Sequence, residues 1–82
     1  MITLKVRMFA MIRDLTGSGN VTITVADGCT VDRLCADLMS RYPGLERWRS
    51  HMRFAVNNEY VAGGHLLRDA DEVAVIPPVS GG

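Results

Sequence analysis

Eighty-two residues carrying nine basic and nine acidic side chains make one small domain without net charge, sized to bury roughly 60 to 65% of its unfolded surface in a single core. That leaves too little chain for a deep pocket plus a catalytic apparatus, and the balanced, scattered charge argues against nucleic acid or a membrane surface as a partner. Cys29 and Cys35, six positions apart, fit neither a C-x-x-C redox or zinc pair nor the dense cysteine framework of a secreted mini-domain, so reduced structural thiols in a cytoplasmic protein are expected.

Ile2, Leu4, Val6 and Met8 alternate with Thr3, Lys5 and Arg7, which predicts a first strand with one apolar face. No basic and continuously apolar leader precedes it, and no run approaches the roughly 18 apolar residues of a membrane helix. Residues 10–15 suit one or two helical turns before Thr16-Gly17-Ser18-Gly19-Asn20, whose glycines and Asn are turn chemistry. Val21, Ile23 and Val25 alternate with Thr22 and Thr24 as a second strand, antiparallel to the first.

Ala26-Asp27-Gly28 breaks the pattern, Thr30 is placed to cap a helix, and Asp32 complements the dipole of its first turn. Val31, Leu34, Cys35, Leu38, Met39 and Tyr42 then fall on one helical stripe, which places Cys35 and Met39 in the core. Arg41 suits the last turn and Pro43-Gly44 ends it. Residues 45–50 read as a connector carrying Trp48, with room for one helical turn.

Met52, Phe54 and Val56 alternate as a third strand, Asn57-Asn58-Glu59 turns the chain, and Tyr60-Val61 pairs back as a short edge strand before the flexible Gly63-Gly64. Leu66-Leu67 leads to the turn Arg68-Asp69-Ala70-Asp71. The near-continuous apolar run of Glu72-Val73-Ala74-Val75-Ile76 predicts a last strand at the centre of the sheet. Hairpin, long helix, then further strands make an α+β chain. Its economical topology is a mixed sheet with the first and last strands parallel and one main helix packed on one face, the β-grasp arrangement, over residues 1–76, followed by an extended C-terminal tail over residues 77–82.

The chain holds no phosphate-cradling G-x-x-x-x-G-K, no G-x-S-x-G and no H-E-x-x-H. His51 and His65 stand isolated in connectors. Asp69, Asp71 and Glu72 lack the ligand series of a calcium loop, so a solvated turn and no metal site are expected. What remains is Ile76-Pro77-Pro78-Val79-Ser80-Gly81-Gly82. Pro fixes φ near −65° and has no N–H to donate, so the diproline leaves the sheet as a stiff arm. From Pro77 it spans roughly 20 Å at about 3.1 to 3.6 Å per residue. Without Cβ atoms, Gly81 and Gly82 permit close backbone approach in a narrow channel. A terminal carboxylate at Gly82, with a reference pKa of about 3.5, is ionised and a poor acyl electrophile, so it needs activation, usually by adenylation.

Three segments carry a resemblance. Asp71-Glu72-Val73-Ala74 followed by Ile76-Pro77-Pro78-Val79-Ser80-Gly81-Gly82, then Phe9-Ala10-x-x-Arg13-Asp14-x-Thr16-Gly17, and Val56-Asn57, resemble the small subunit of molybdopterin synthase, the MoaD family of ubiquitin-like sulfur carriers, over essentially the whole chain. The resemblance implies that an E1-like adenylyltransferase uses ATP to adenylate Gly82, that a sulfur donor protein displaces AMP, and that the carrier then ends in a thiocarboxylate. It implies further that the molybdopterin synthase large subunit receives the arm and that the sulfur passes to cyclic pyranopterin monophosphate, building the dithiolene of the molybdenum cofactor. No bound cofactor and no independent activity follow for this chain, since the catalytic side chains belong to the partner.

Gly82 is then the catalytic acyl group. Ile76, Pro77, Pro78, Val79, Ser80 and Gly81 meet the partner, as does Phe9, which with Ala55, Ala74 and Ile76 offers apolar surface on the sheet face away from the helix, unless residues 10–16 cover it. A carrier for thiamine synthesis or tRNA thiolation, a modifier conjugated to lysines, and a β-grasp interaction module with an inert tail remain open beside this reading. One position departs from the family, which usually has Gly where this chain has Ala70. A left-handed residue there would cost Ala about 1 kcal/mol or more, which predicts a rearranged turn.

Overall fold

The computed structural model describes residues 1–76, and at positions 10 and 11 the backbone alone. The expected arm over residues 77–82 lies outside the described residues. In chain order the elements are β1 (Ile2–Met8), α1 (Ala10–Thr16), β2 (Asn20–Val25), α2 (Val31–Arg41), a 3₁₀ segment (Pro43–His51), β3 (Arg53–Val56), β4 (Glu59–Tyr60) and β5 (Glu72–Ile76).

The strands form one sheet in the order β2-β1-β5-β3-β4. β1 pairs antiparallel with β2, from Ile2 opposite Val25 to Arg7 opposite Asn20, and parallel with β5, from Lys5 beside Glu72 to Met8 beside Val75. β3 closes the other side of β5 antiparallel, with Phe54 opposite Val75. The apolar run of β5 thus takes the central position it predicts, and the first and last strands are parallel neighbours. This is the ubiquitin-like β-grasp topology.

The alternation of β1 decides which face is buried. Leu4, Val6 and Met8 join Ile23, Phe54, Val56, Val73 and Val75 in an inner layer, against which α2 lays Val31, Leu34, Cys35, Leu38 and Met39. Each fully buried aliphatic side chain contributes about 1.5 to 3 kcal/mol relative to exposure. α2 begins where Thr30 Oγ1 accepts the Arg33 N–H at 3.2 Å, an N-cap of about 1 kcal/mol. α1 sends Ile12 into the same core and packs against the 3₁₀ segment, so it lies on the helical side of the sheet.

The connector expected over residues 45–50 is instead a nine-residue 3₁₀ segment. Leu45, Trp48 and His51 recur every three residues, the 3₁₀ period. Leu45 is fully buried, Trp48 is half-buried, and the His51 ring meets Trp48 edge-on at 6.5 Å between centroids. Runs of this length are uncommon because 3₁₀ hydrogen bonds are poorly aligned, and Leu45 anchors this one in the core.

Two turns set the frame of β5. Asn57 and Asn58 take φ of 50° and 72°, the two left-handed residues of a tight β3–β4 hairpin. The Asn57 side chain then ties the hairpin to the start of β5: its Oδ1 accepts the Glu72 N–H and its Nδ2 donates to Asp71 Oδ1, both at 3.0 Å. The turn before β5 is not rearranged to suit Ala70. Ala70 keeps φ at 69°, and its N–H donates to the Thr3 carbonyl at 2.8 Å. The acidic residues of that turn serve as acceptors, Asp69 Oδ1 for the Thr3 N–H at 2.7 Å and Asp71 Oδ2 for the Arg68 N–H at 2.8 Å.

Candidate functional site

The candidate site is the sheet face away from α2, at the end of the sheet where β5 finishes. Because side chains alternate along a strand, the register that buries Val73 and Val75 turns Glu72, Ala74 and Ile76 to that outer face. The same parity turns out Lys5 and Arg7 on β1 and Arg53 and Ala55 on β3. One cross-strand row therefore reads Arg7, Ala74, Ala55, Tyr60, and the next places Arg53 opposite Ile76.

Ile76 is half-buried and ends β5, the middle strand of the sheet. Phe9 follows β1 directly and caps the backbone of α1, its carbonyl accepting the Ile12 N–H at 3.0 Å, and its ring is 42% exposed beside the end of β5. The Arg7 guanidinium lies 5.7 Å from the Phe9 ring centroid and 3.9 Å from Glu72 Oε1. On the far side Arg53 lies 6.0 Å from the ring of Tyr60, which is 66% exposed. The surface around Ile76 is thus small apolar side chains between two exposed aromatic rings, each accompanied by an arginine. Cation–ring pairs of this kind are worth about 0.5 to 1 kcal/mol when exposed and more when desolvated, so covering this face strengthens contacts already formed.

Of the expected site residues, the structure brings Phe9 and Ile76 to one end of the sheet with Ala74 and Ala55 beside them. Ala55 is itself buried. α1 does not cover this face, because its Ile12 is committed to the opposite one. Pro77, Pro78, Val79, Ser80, Gly81 and Gly82 lie outside the described residues. Arg7 and Arg53 are additions that period-two parity alone would have placed here, since each shares a face with an expected residue, whereas the face of Tyr60 follows from its pairing with Ala55.

The thiols behave as packing groups. Cys29 and Cys35 are both buried and unpaired with each other. Burial pushes each thiol above its ordinary pKa, against smaller opposing effects of Arg33 on Cys29 and Arg49 on Cys35. A protonated thiol is a weak nucleophile. Among the described residues, no three His, Cys, Asp or Glu side chains group as a metal site, and no helix is long and apolar enough to cross a membrane.

The ThiS family model matches residues 6–82. The chain is 40% identical over 81 residues to the molybdopterin synthase sulfur carrier subunit of Homo sapiens, covering 95% of this chain and 92% of that one. It is 37% identical over 81 residues to the subunit of the same name from Arabidopsis thaliana, covering 99% and 84%. Its fold matches the crystal structure of SAMP1 from Haloferax volcanii with a TM-score of 0.86 at 31% identity, over 98% of this chain and 99% of that one. It matches a putative molybdopterin converting factor subunit 1 from Pyrococcus furiosus with a TM-score of 0.89 at 29% identity, over 96% and 100%. With this fold, and with such identity sustained over nearly its whole length, the chain belongs to the ThiS family, alongside the molybdopterin synthase sulfur carrier subunits.

Proposed function

We propose that this protein is the sulfur-carrier small subunit of a molybdopterin synthase. The observation that carries the reading is its near-full-length likeness to relatives that bear that name. In this reading the β-grasp domain is a platform and Gly82 is the acyl carrier. A Gly82 carboxylate oxygen attacks the α-phosphorus of ATP on an E1-like enzyme, releasing pyrophosphate and forming an acyl-adenylate. The outer sulfur of a cysteine persulfide on a donor protein then adds to the acyl carbon and expels AMP, and a second thiol attacks the donor cysteine's sulfur in the resulting acyl disulfide, forming a disulfide with the donor and releasing the thiocarboxylate. The large subunit takes the arm and passes the sulfur to cyclic pyranopterin monophosphate.

The chain's own residues bind and position. Pro77 and Pro78 reduce the entropy lost on threading the arm, Val79, Ser80 and Gly81 fit a narrow channel, and Ile76 with Phe9 seats the partner against the outer sheet face. In this reading the chain has no independent activity and no cofactor of its own, ATP being consumed by the activating enzyme. A cytoplasmic setting suits the two reduced thiols.

Intact mass spectrometry of protein isolated from its native cell tests the reading. An oxygen-to-sulfur exchange located at Gly82 is expected, and its persistent absence beside a competent activating enzyme would overturn it. The likeness to SAMP1, elsewhere called small archaeal modifier protein 1, favours a second reading, in which Gly82 is joined to lysine side chains of other proteins. Gly-Gly remnants on lysines after proteolysis, matched to this chain, would favour that alternative.

A further inference from the structure

We propose that the outer edge of β2, together with the groove between β2 and α2, receives an extended acidic segment of a partner protein as a sixth strand of the sheet. This surface lies apart from the end of β5 and from the outer sheet face, and the inference does not depend on the sulfur-carrier reading.

The hydrogen-bond pattern identifies the free groups. On β1, the Met8 N–H donates to the Gly19 carbonyl at 2.9 Å, the Lys5 N–H donates to the Asp71 carbonyl at 3.0 Å, and the Thr3 carbonyl accepts from Ala70. Even-numbered residues of β1 thus face β2 and odd-numbered ones face β5. Their antiparallel partners follow: Val21, Ile23 and Val25 direct their main chain at β1, while Asn20, Thr22 and Thr24 direct theirs outward. The Asn20 carbonyl is occupied by the Ser18 hydroxyl at 2.9 Å. The N–H and C=O groups of Thr22 and Thr24 face solvent at the sheet's terminal strand.

Native sheets protect such an edge with Lys, Pro or a bulge. β2 has none of these. Asn20-Val21-Thr22-Ile23-Thr24-Val25 is uncharged and its register with β1 is unbroken over six pairs. At the other edge β4 is only two residues long. Among the described residues β2 is therefore the longer open edge.

Beside this edge runs a groove of about 800 Å³, lined by Thr24, Val25, Cys29, Arg33, Ala36 and Asp37 among others. A strand added at about 4.8 Å from β2 would lay every second side chain into it. The charges of the groove select the occupant. The Met1 ammonium is held by Asp27 at 3.0 Å and Asp37 by Arg41 at 2.8 Å, whereas Arg33 has no ion-pair partner among the described residues. A carboxylate side chain on the incoming segment complements it, with apolar residues at alternate positions against Val25 and Ala36. The groove sits at the Val25 end of β2, paired with Ile2, and the arm's root sits beside the other end of β1. The two sites are thus separated by most of the length of β1, roughly 20 Å, so both can be engaged at once.

A display library of random dodecapeptides panned against the full chain tests this. Enriched peptides are expected to carry Asp or Glu among alternating apolar residues and to slow hydrogen exchange at the Thr22 and Thr24 amides. They should lose about tenfold or more in affinity on Thr22→Pro, which removes an outward N–H while sparing the bonds to β1, and on Arg33→Glu. No enrichment, equal binding to both variants, or binding without protection of those amides in the wild-type chain would overturn the proposal. So would a dimer of the chain alone in sedimentation that Thr22→Pro abolishes, which assigns the edge to a second copy.

Discussion

Ala70 donates its N–H to the Thr3 carbonyl at 2.8 Å from a left-handed backbone, with φ at 69°. The bond feeds the chain into β5 alongside β1, so the strain at Ala70 is held by the pairing of the two central strands. A non-glycine residue in this region costs about 1 to 2 kcal/mol, against which Gly loses about 0.5 to 1 kcal/mol more entropy on folding. Ala70→Gly is therefore expected to stabilise by about 0.5 to 1 kcal/mol and to raise Tm by a few degrees. A lower Tm in differential scanning calorimetry would show that the turn has found another way to accommodate the side chain.

Leu45 is fully buried and pins the 3₁₀ segment between α2 and β3. Leu45→Ala is expected to cost about 2 to 5 kcal/mol, with Tm falling by about 10 °C or more. His51→Ala, at the exposed end of the same stripe, should stay within about 0.5 kcal/mol. Chemical denaturation of both variants checks the contrast, and equal effects would show that the segment is not anchored through Leu45.

These two sites also show what the sequence made legible. The strands of this sheet and α2 follow from periods of two and 3.6, and the central place of β5 follows from Val73 and Val75 flanking Ala74 in an apolar run. The 3₁₀ segment escaped because Leu45, Trp48 and His51 repeat every three residues, a spacing that neither template matches and that only the burial of Leu45 makes decisive. Ala70 was readable as a departure from the family, but its outcome was not, because the bond to Thr3 is a long-range contact. At the site, Phe9 and Ile76 were readable from parity. Tyr60 was placed on the edge strand without its face, which depends on the register of a two-residue strand set by the Asn57-Asn58 turn.

The two buried thiols give the fold a dependence on alkaline pH. Their pKa values are raised in the folded state, chiefly by burial, so the folded chain keeps protons that the unfolded chain releases above about pH 8.5. Stability from this source is full below that pH and is lost as pH rises through the folded-state values. Urea midpoints are expected to fall on going from neutral pH into the alkaline range, with a shallower fall in a Cys29→Ala, Cys35→Ala double variant. An identical decline in both proteins would place the effect elsewhere.

The outer sheet face is expected to carry partner affinity without carrying the fold. Phe9→Ala removes an exposed ring while leaving the Phe9 carbonyl to cap α1, so Tm should change little. Binding to a molybdopterin synthase large subunit should weaken by about 1 to 2 kcal/mol, roughly 5- to 30-fold. Calorimetric titration showing unchanged affinity would remove Phe9 from the docking surface.

The most direct test of the platform and arm is reconstitution. Thiocarboxylated full-length protein is combined with a molybdopterin synthase large subunit and cyclic pyranopterin monophosphate, in parallel with a chain lacking Gly82 that has been through the same activating system. The intact chain is expected to yield the dithiolene product and the shortened one none, while both unfold at nearly the same temperature, since Gly82 follows the last described strand by six residues in sequence. Product from the shortened chain, or none from a verified thiocarboxylate, would contradict the assignment of Gly82 as the sulfur-bearing group of this synthase.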